Sequence, residues 1–299
     1  KPDRVAGSGL LQPANTGNGH PYAIEHGGPD IDTVDPEHWG RIAIVAIDEE
    51  GAATAPLLPA GYVLARSFRN ALLATFEERG SSGDAPSVLH GRGDTPHLAV
   101  VPLADVGHRH ATGRVLGLAL AFPSARRRDD LAAETAAVLD ALRSFFPEAT
   151  DRRPIKGPRI GPIYVKPLRA GEERRWALNA SRYTVPSHTW TTVTPAVLSR
   201  WPKRRNREDS LRDQVVADCA HVGLPEPESV EILRTPAVTG AATRLAPTAK
   251  LPDDWRTSLN GPTVHLRLRF PTPVRGPVLL GRARHFGVGL CVPERSVAP

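Results

Sequence analysis

The chain has 299 residues and a mass of 32.2 kDa, with 40% apolar and 23% charged residues, enough for about two ordered domains of roughly 150 residues each and too apolar for a wholly disordered chain. No apolar run reaches the ~18 residues of a membrane span, and the polar stretch after Lys1–Gly9 lacks a secretory core. Basic residues outnumber acidic ones 38 to 32, but residues 1–150 carry 13 basic and 19 acidic (−6) while residues 151–299 carry 25 and 13 (+12), which predicts a polyanionic partner for the C-terminal half.

Only five of the 38 basic residues are Lys, as a genome rich in G and C would produce, but codon bias does not explain the uneven placement. Two cysteines, Cys219 and Cys291, make neither a disulfide framework nor a metal knuckle, which fits a reducing cytoplasm. No Met occurs, so the sequence is expected to be part of a longer or processed product.

Residues 1–38, rich in Gly, Pro, Asn and Asp, read as a linker or entry segment. Arg41–Asp48 reads as a strand, and Gly61–Glu78 as a helix whose Val63, Leu64, Phe68, Leu72, Leu73 and Phe76 form a buried face. Two apolar segments, His97–Leu103 and Arg114–Phe122, read as strands joined by a polar turn. A helix from Leu131 keeps a 3.6-residue period to Phe146 and ends at Pro147, and Ile160–Leu168 reads as the next strand. This β-α-β-β-α-β order predicts a ferredoxin-like unit, an antiparallel four-stranded sheet with two helices on one face.

A similar order follows downstream. Thr189–Leu198 is rich in β-branched residues, Ser210–Val222 reads as a helix, and Ser229–Leu233 and Thr263–Phe270 read as strands. In the last of these, Val264, Leu266, Leu268 and Phe270 alternate with His265, Arg267 and Arg269, which predicts a core face and a cationic face. The tail 276–291 shows no long second helix. The expected fold class is therefore α+β with tandem ferredoxin-like (split βαβ, RRM-like) domains, over residues 39–180 and 181–299.

Candidate chemistry falls into three groups. His90, His97, His108 and His110 lie in the first half with Arg92, Arg109 and Arg114 in the same loops. Imidazoles that titrate near neutrality can take a proton from a ribose 2′-OH and give one to a departing 5′ oxygen, while a guanidinium stabilises phosphoryl charge. His97, His108 and His110 are the acid–base candidates, and Arg109 the phosphate stabiliser. A competing reading puts zinc on His108 and His110 with Asp105 or His97; another has His110 merely pinning a turn.

The second group is GPVLLGRARHFGVGL, residues 276–290, where Gly281, Gly287 and Gly289 frame Arg282, Arg284 and His285. Glycines allow backbone N–H groups to approach a phosphate, and Arg267, Arg269 and Arg275 lie nearby; an edge turn is the alternative. It matches neither a P-loop nor a dinucleotide fingerprint. The third group is Trp201 with Lys203, Arg204, Arg205 and Arg207, a base-stacking indole beside phosphate-binding cations, or else a solvated loop. Arg126–Arg128 and Arg152, Arg153, Lys156 and Arg159 are weaker basic clusters.

The stretches PHLAVVPLADVGHRHATGRVLGLAL (96–120), WTTVTPAVLSRWPK (190–203), EDSLRDQVVADCAHVGLPEP (208–227) and HLRLRFPTPVRGPVLLGRARHFGVGL (265–290) together resemble the GSU-type family of type I-G (formerly I-U) CRISPR systems. In that family a domain binding the CRISPR RNA handle is fused to a repeat-processing endoribonuclease. The resemblance implies tandem ferredoxin-like domains, CRISPR repeat RNA as substrate, and residence with backbone and large subunits in a type I interference complex that contacts target DNA; with the histidines and arginines above, the expected reaction is metal-independent 2′-OH transesterification with no cofactor. His97, His108 and His110 fall in the family's histidine-bearing stretch, and Gly281, Gly287 and Gly289 in its glycine-rich loop; Leu89-His90-Gly91 departs from the family's usual Ser-Gly-His. A non-catalytic RNA clamp and a metal-dependent hydrolase or nuclease are the alternative functions.

Overall fold

A computed structural model describes residues 23–25, 39, 41–48, 55–78, 85–90, 97–123, 131–148, 151–158, 160–169, 171–202, 204–247 and 251–294. The fold is α+β, with two β-sheets and several helices. In chain order the elements are β1 (Ala23–Glu25), β2 (Arg41–Ile47), α1 (Gly61–Glu78), α2 (Ser87–His90), β3 (Ala99–Ala104), β4 (Val115–Phe122), α3 (Leu131–Phe145), β5 (Arg153–Gly157), β6 (Ile160–Pro167), α4 (Ser181–Thr184), β7 (Ser187–Thr192), β8 (Ala196–Val197), α5 (Arg207–His221), β9 (Ser229–Leu233), α6 (Asp253–Ser258), β10 (Thr263–Val274) and β11 (Cys291–Pro293). No helix among the described residues is long and apolar enough to cross a membrane.

The first sheet runs β3-β4-β2-β6-β5, every neighbour antiparallel. β4 takes one side of β2; on the other, β6 pairs with Val45–Ile47 and β1 with Arg41–Ala43. Residues 23–25 thus form a strand inside the segment expected to be a linker. β5 was likewise not anticipated: in Arg153–Gly157 only Ile155 is buried, so no alternation announces it.

α1 spans the expected residues and buries Val63, Leu64, Phe68 and Leu72, with Leu73 and Phe76 partly buried beside them. β3 is buried along its whole length, because both sheet faces are covered. Ile42, Ile44, Val101, Leu103, Ala119 and Ala121 face Ala180, Tyr183 and Pro277, residues that follow the sheet in sequence. The largest apolar core is accordingly continuous from β2 to Val193, Leu279, Leu290 and Val292.

The second sheet runs β11-β7-β10-β9, again antiparallel throughout, with β8 paired to the first residues of β10. Pro195 falls in the interruption between β7 and β8, which the sequence suggested as one strand. Trp190, Leu266, Leu268 and Phe270 pack with Leu211, Val215 and Cys219 of α5. Burial pushes the Cys219 thiol up to about 12, with neighbouring Asp218 acting in the same direction; it pushes the buried Cys291 thiol up as well.

The outer face of β10 is not uniformly cationic. His265 is 4% exposed, since residues 238–242 cover that end of the strand. Its Nε2–H donates to the Ala242 carbonyl at 2.9 Å, which leaves Nδ1 to accept from the Thr192 hydroxyl at 3.0 Å. Burial lowers the His265 pKa, against the opposing effect of the Ala242 and Thr192 backbones beside it. A lowered imidazole pKa favours the neutral form in the folded state, so this contribution is present above the unfolded value of ~6.5 and is lost as pH falls below it. In urea denaturation at a series of pH values, the stability advantage of wild type over His265→Gln is expected to shrink from pH ~7 downward; a constant difference would refute the assignment.

Candidate functional site

Residues 276–290 connect β10 to β11 and contain one short 3-10 turn, Arg284–Phe286, in place of a long helix. Gly281, Gly287 and Gly289 are buried. Gly287 has φ +70°, and a Cβ there would stand 2.1 Å from Cδ of Pro102 in β3; at Gly281, φ +78°, it would stand 2.5 Å from the Val197 carbonyl oxygen. These two glycines let the segment lie directly on β3 and β8. The backbone N–H groups of Arg282, Gly287 and Gly289 donate to the carbonyls of Val197, Arg284 and Pro195. These bonds hold the segment in place and engage the N–H groups of Gly287 and Gly289 within the chain.

Seating the segment on β3 gathers side chains distant in sequence. His285 meets His97, two residues before β3, with ring centroids 5.2 Å apart and edge to face, and meets the buried Trp39 at 5.7 Å. Both imidazoles are half-buried. Phe286 packs edge-on to Tyr62 of α1, and the guanidinium of Arg66 lies 5.1 Å from the Phe286 ring and 4.6 Å from the Trp255 ring. Arg66 also holds Asp254 at 2.7 Å, so α1 and α6 clamp the segment together. Arg69 lies over Phe286 at 5.5 Å and donates to the Leu89 and His90 carbonyls, bringing α2 to the same place.

The arginines of this segment are engaged inside the protein. Arg282 donates to the Thr257 and Asn260 carbonyls, each at 2.9 Å. Half-buried Arg284 faces Asp218 of α5: burial lowers the guanidinium pKa and raises that of the carboxyl, and their mutual attraction opposes both shifts. Arg275 is half-buried before the cis Gly276–Pro277 bond. On β10, Arg267 is ion-paired with Glu231 and Glu294 at 2.9 and 2.8 Å, and Arg269 with Glu228 at 2.9 Å. The Arg267 and Arg269 guanidinium groups of this face are thus neutralised, because β9, the residue before it and the chain after β11 place carboxylates opposite them.

His108 and His110 lie elsewhere. They follow the last residue of β3, whereas His97 precedes its first, so the length of the strand, roughly 20 Å, stands between them. Asp105 organises this exposed loop: it accepts from the Thr112 N–H and hydroxyl at 2.8 Å each and from His108 Nε2 at 2.6 Å. Partial burial raises the Asp105 pKa, but these bonds outweigh it and hold the carboxyl below its ordinary value. His108 Nδ1 accepts from the His110 N–H at 3.3 Å, and Arg109 Nε donates to His110 Nε2 at 2.7 Å. The side-chain bonds that His108, Arg109 and His110 make are local, and the expected grouping of His97 with His108 and His110 is not formed. Nor is the alternative zinc set: among the described residues no three His, Cys, Asp or Glu side chains are arranged to hold a metal ion.

Trp201, Arg205 and Arg207 are exposed. Lys203, the side chain of Arg204, and Arg92, Arg126–Arg128 and Arg159 lie outside the described residues.

Residues 69–293, more than half of the chain, match the family model described as CRISPR-associated protein, GSU0054 family. The chain belongs to the GSU0054 family of CRISPR-associated proteins. No curated protein matches it. The GSU0054-family match begins within α1 and ends on the last residue of β11, so it contains His97, His285 and the entire glycine-rich segment.

The His97–His285 contact joins residues 188 positions apart and had no local signature; the glycine spacing around His285 was the nearest signal. If seating on β3 holds the segment, Gly287→Ala should lower unfolding free energy by about 2–4 kcal/mol through left-handed strain and overpacking against Pro102. Gly161→Ala, where a Cβ meets nothing within 4 Å, is the control and should change stability by less than about 1 kcal/mol. Equal denaturation midpoints and slopes for both variants would refute this account.

Proposed function

We propose that this GSU0054-family chain cleaves CRISPR repeat RNA by metal-independent transesterification, with His97 and His285 as the acid–base pair. The observation that carries the reading is their contact at 5.2 Å, between the start of a sheet strand and a glycine-rich segment. Attack of a 2′-OH on the adjacent phosphorus needs one group to accept the hydroxyl proton and another to protonate the 5′ oxygen that leaves. Two imidazoles in contact resist carrying positive charge together, so such a pair divides naturally into a neutral base and a charged acid. Separation by the length of β3 gives His108, Arg109 and His110 no part in that pair, although they were the companions suggested by the sequence.

The architecture supports a tandem ferredoxin-like reading, with units over residues 39–180 and 181–299. In each sheet the second, third, first and fourth principal strands lie side by side in that order, all antiparallel. The first unit adds β1 and β5; the second has the glycine-rich segment where its second helix would stand. Within this proposal the protein keeps the processed RNA as a subunit of a type I interference complex, beside backbone and large subunits and, through them, target DNA.

A non-catalytic RNA clamp is the second reading, favoured by the packing of the His285 imidazole against buried Trp39. Cleavage of repeat RNA in the presence of chelator separates the two. Wild type is expected to cut; His97→Ala and His285→Ala should each lower the rate by about 10²-fold or more while retaining RNA binding. His108→Ala with His110→Ala should leave it within a few-fold. Undiminished cleavage by a His97→Ala, His285→Ala double variant refutes the mechanism, and tight binding without cleavage by wild type assigns the clamp.

A further inference from the structure

Trp201 is 69% exposed, whereas Trp39, Trp190 and Trp255 are buried. An indole left in water forgoes the stabilisation its burial would bring, and here the backbone around it is firmly held. The Arg200 N–H donates to the Gln214 side-chain oxygen at 2.9 Å, and Gln214 donates onward to the Ser210 carbonyl at 3.1 Å. The Leu198 N–H donates to the Pro262 carbonyl at 2.9 Å, and a Cβ at Gly261 would stand 2.2 Å from the Leu198 oxygen. The segments carrying Trp201 and Gly261 therefore run in close contact, and the indole projects from a rigid base.

Trp201 forms one wall of an open cleft of about 550 Å³, with Asp253, Arg256 and Thr257 of α6 and Asn260 and Gly261 after it on the other side. That volume is of the size that holds a small ligand. The far wall is tied to the glycine-rich segment, since Arg282 donates to the carbonyls of Thr257 and Asn260. Within the wall, the Asp253 carboxylate is paired with Arg256.

The arginines next to Trp201 in sequence, compared with those held elsewhere, point to the occupant. Arg212, Arg256, Arg267 and Arg269 each hold a carboxylate. Arg200, Arg205 and Arg207 are exposed and form no ion pair among the described residues. An uncompensated cationic run attracts phosphates, and an open aromatic face offers stacking to a base that has left its helix. A blunt duplex presents no such base away from its ends.

We propose that this cleft holds one unpaired nucleotide of bound RNA, its base stacked on Trp201 and its flanking phosphates drawn to Arg200, Arg205 and Arg207. The proposal rests on the reading of the chain as RNA-binding, but not on the acid–base roles of His97 and His285.

The test measures affinity of the full chain for two RNA probes: a hairpin with a closed, blunt stem and the same hairpin carrying a short single-stranded extension. Trp201→Ala should weaken binding of the extended probe by about 5- to 100-fold, the range that loss of one base–aromatic stack produces, and should leave the blunt probe unchanged. Trp201→Phe should restore most of the loss, and Arg205→Ala with Arg207→Ala should flatten the salt dependence for the extended probe. Because the indole is exposed, these variants are expected to fold. Equal affinity of wild type and Trp201→Ala for the extended probe overturns the cleft alone. Failure of wild type to bind either probe overturns the RNA reading itself. Unchanged RNA affinity together with failure of Trp201→Ala to join another protein subunit would reassign the cleft to a protein partner.

Discussion

The close approach of residues 276–290 to the edge strand of the first sheet is the constraint on which the arrangement depends. It requires an absence of side chains: at Gly287 the neighbouring Pro102 occupies the space a Cβ would need, and at Gly281 the Val197 carbonyl does so. With the backbone in contact, Phe286 reaches α1 and His285 reaches His97. This glycine-rich stretch is seated by packing, and its contacts with α1 and His97 come from the side chains between its glycines.

The same approach links the two sheets. The inward face of the first sheet is covered by residues that belong to the second half of the chain, and the core passes from one to the other without a polar layer. A boundary near residue 180 therefore divides the strand order more cleanly than it divides the packing. Removing the second half would leave Val101, Leu103 and Ala119 without their cover, an apolar surface that a folded domain seldom tolerates.

Much of the fold was legible because periodicity is local. α1, β9 and the core face of β10 follow directly from apolar spacing, and Pro147 marks the end of α3. β5 escaped because its outward residues are Arg, Pro and Lys with a single buried Ile155, and β1 because three residues are too few for a pattern. The site was less legible for a different reason. Sequence proximity suggested that His97, His108 and His110 act together, but a strand separates the groups at its two ends, whereas a loop 188 residues away returns to His97. Alternation on β10 correctly put His265, Arg267 and Arg269 on one face; only the neighbours supplied by β9 and residues 238–242 decide that one is buried and two are neutralised.

The two sulfur atoms give the second sheet an internal clock. Cys219 and Cys291 sit in its core with no exposed surface, and burial disfavours the thiolate that alkylating reagents attack. Modification must then await a local opening, so its rate reports how often the core beneath α5 is exposed. With both native thiols silent in the closed state, a cysteine introduced on the surface can carry a dye without prior removal of either.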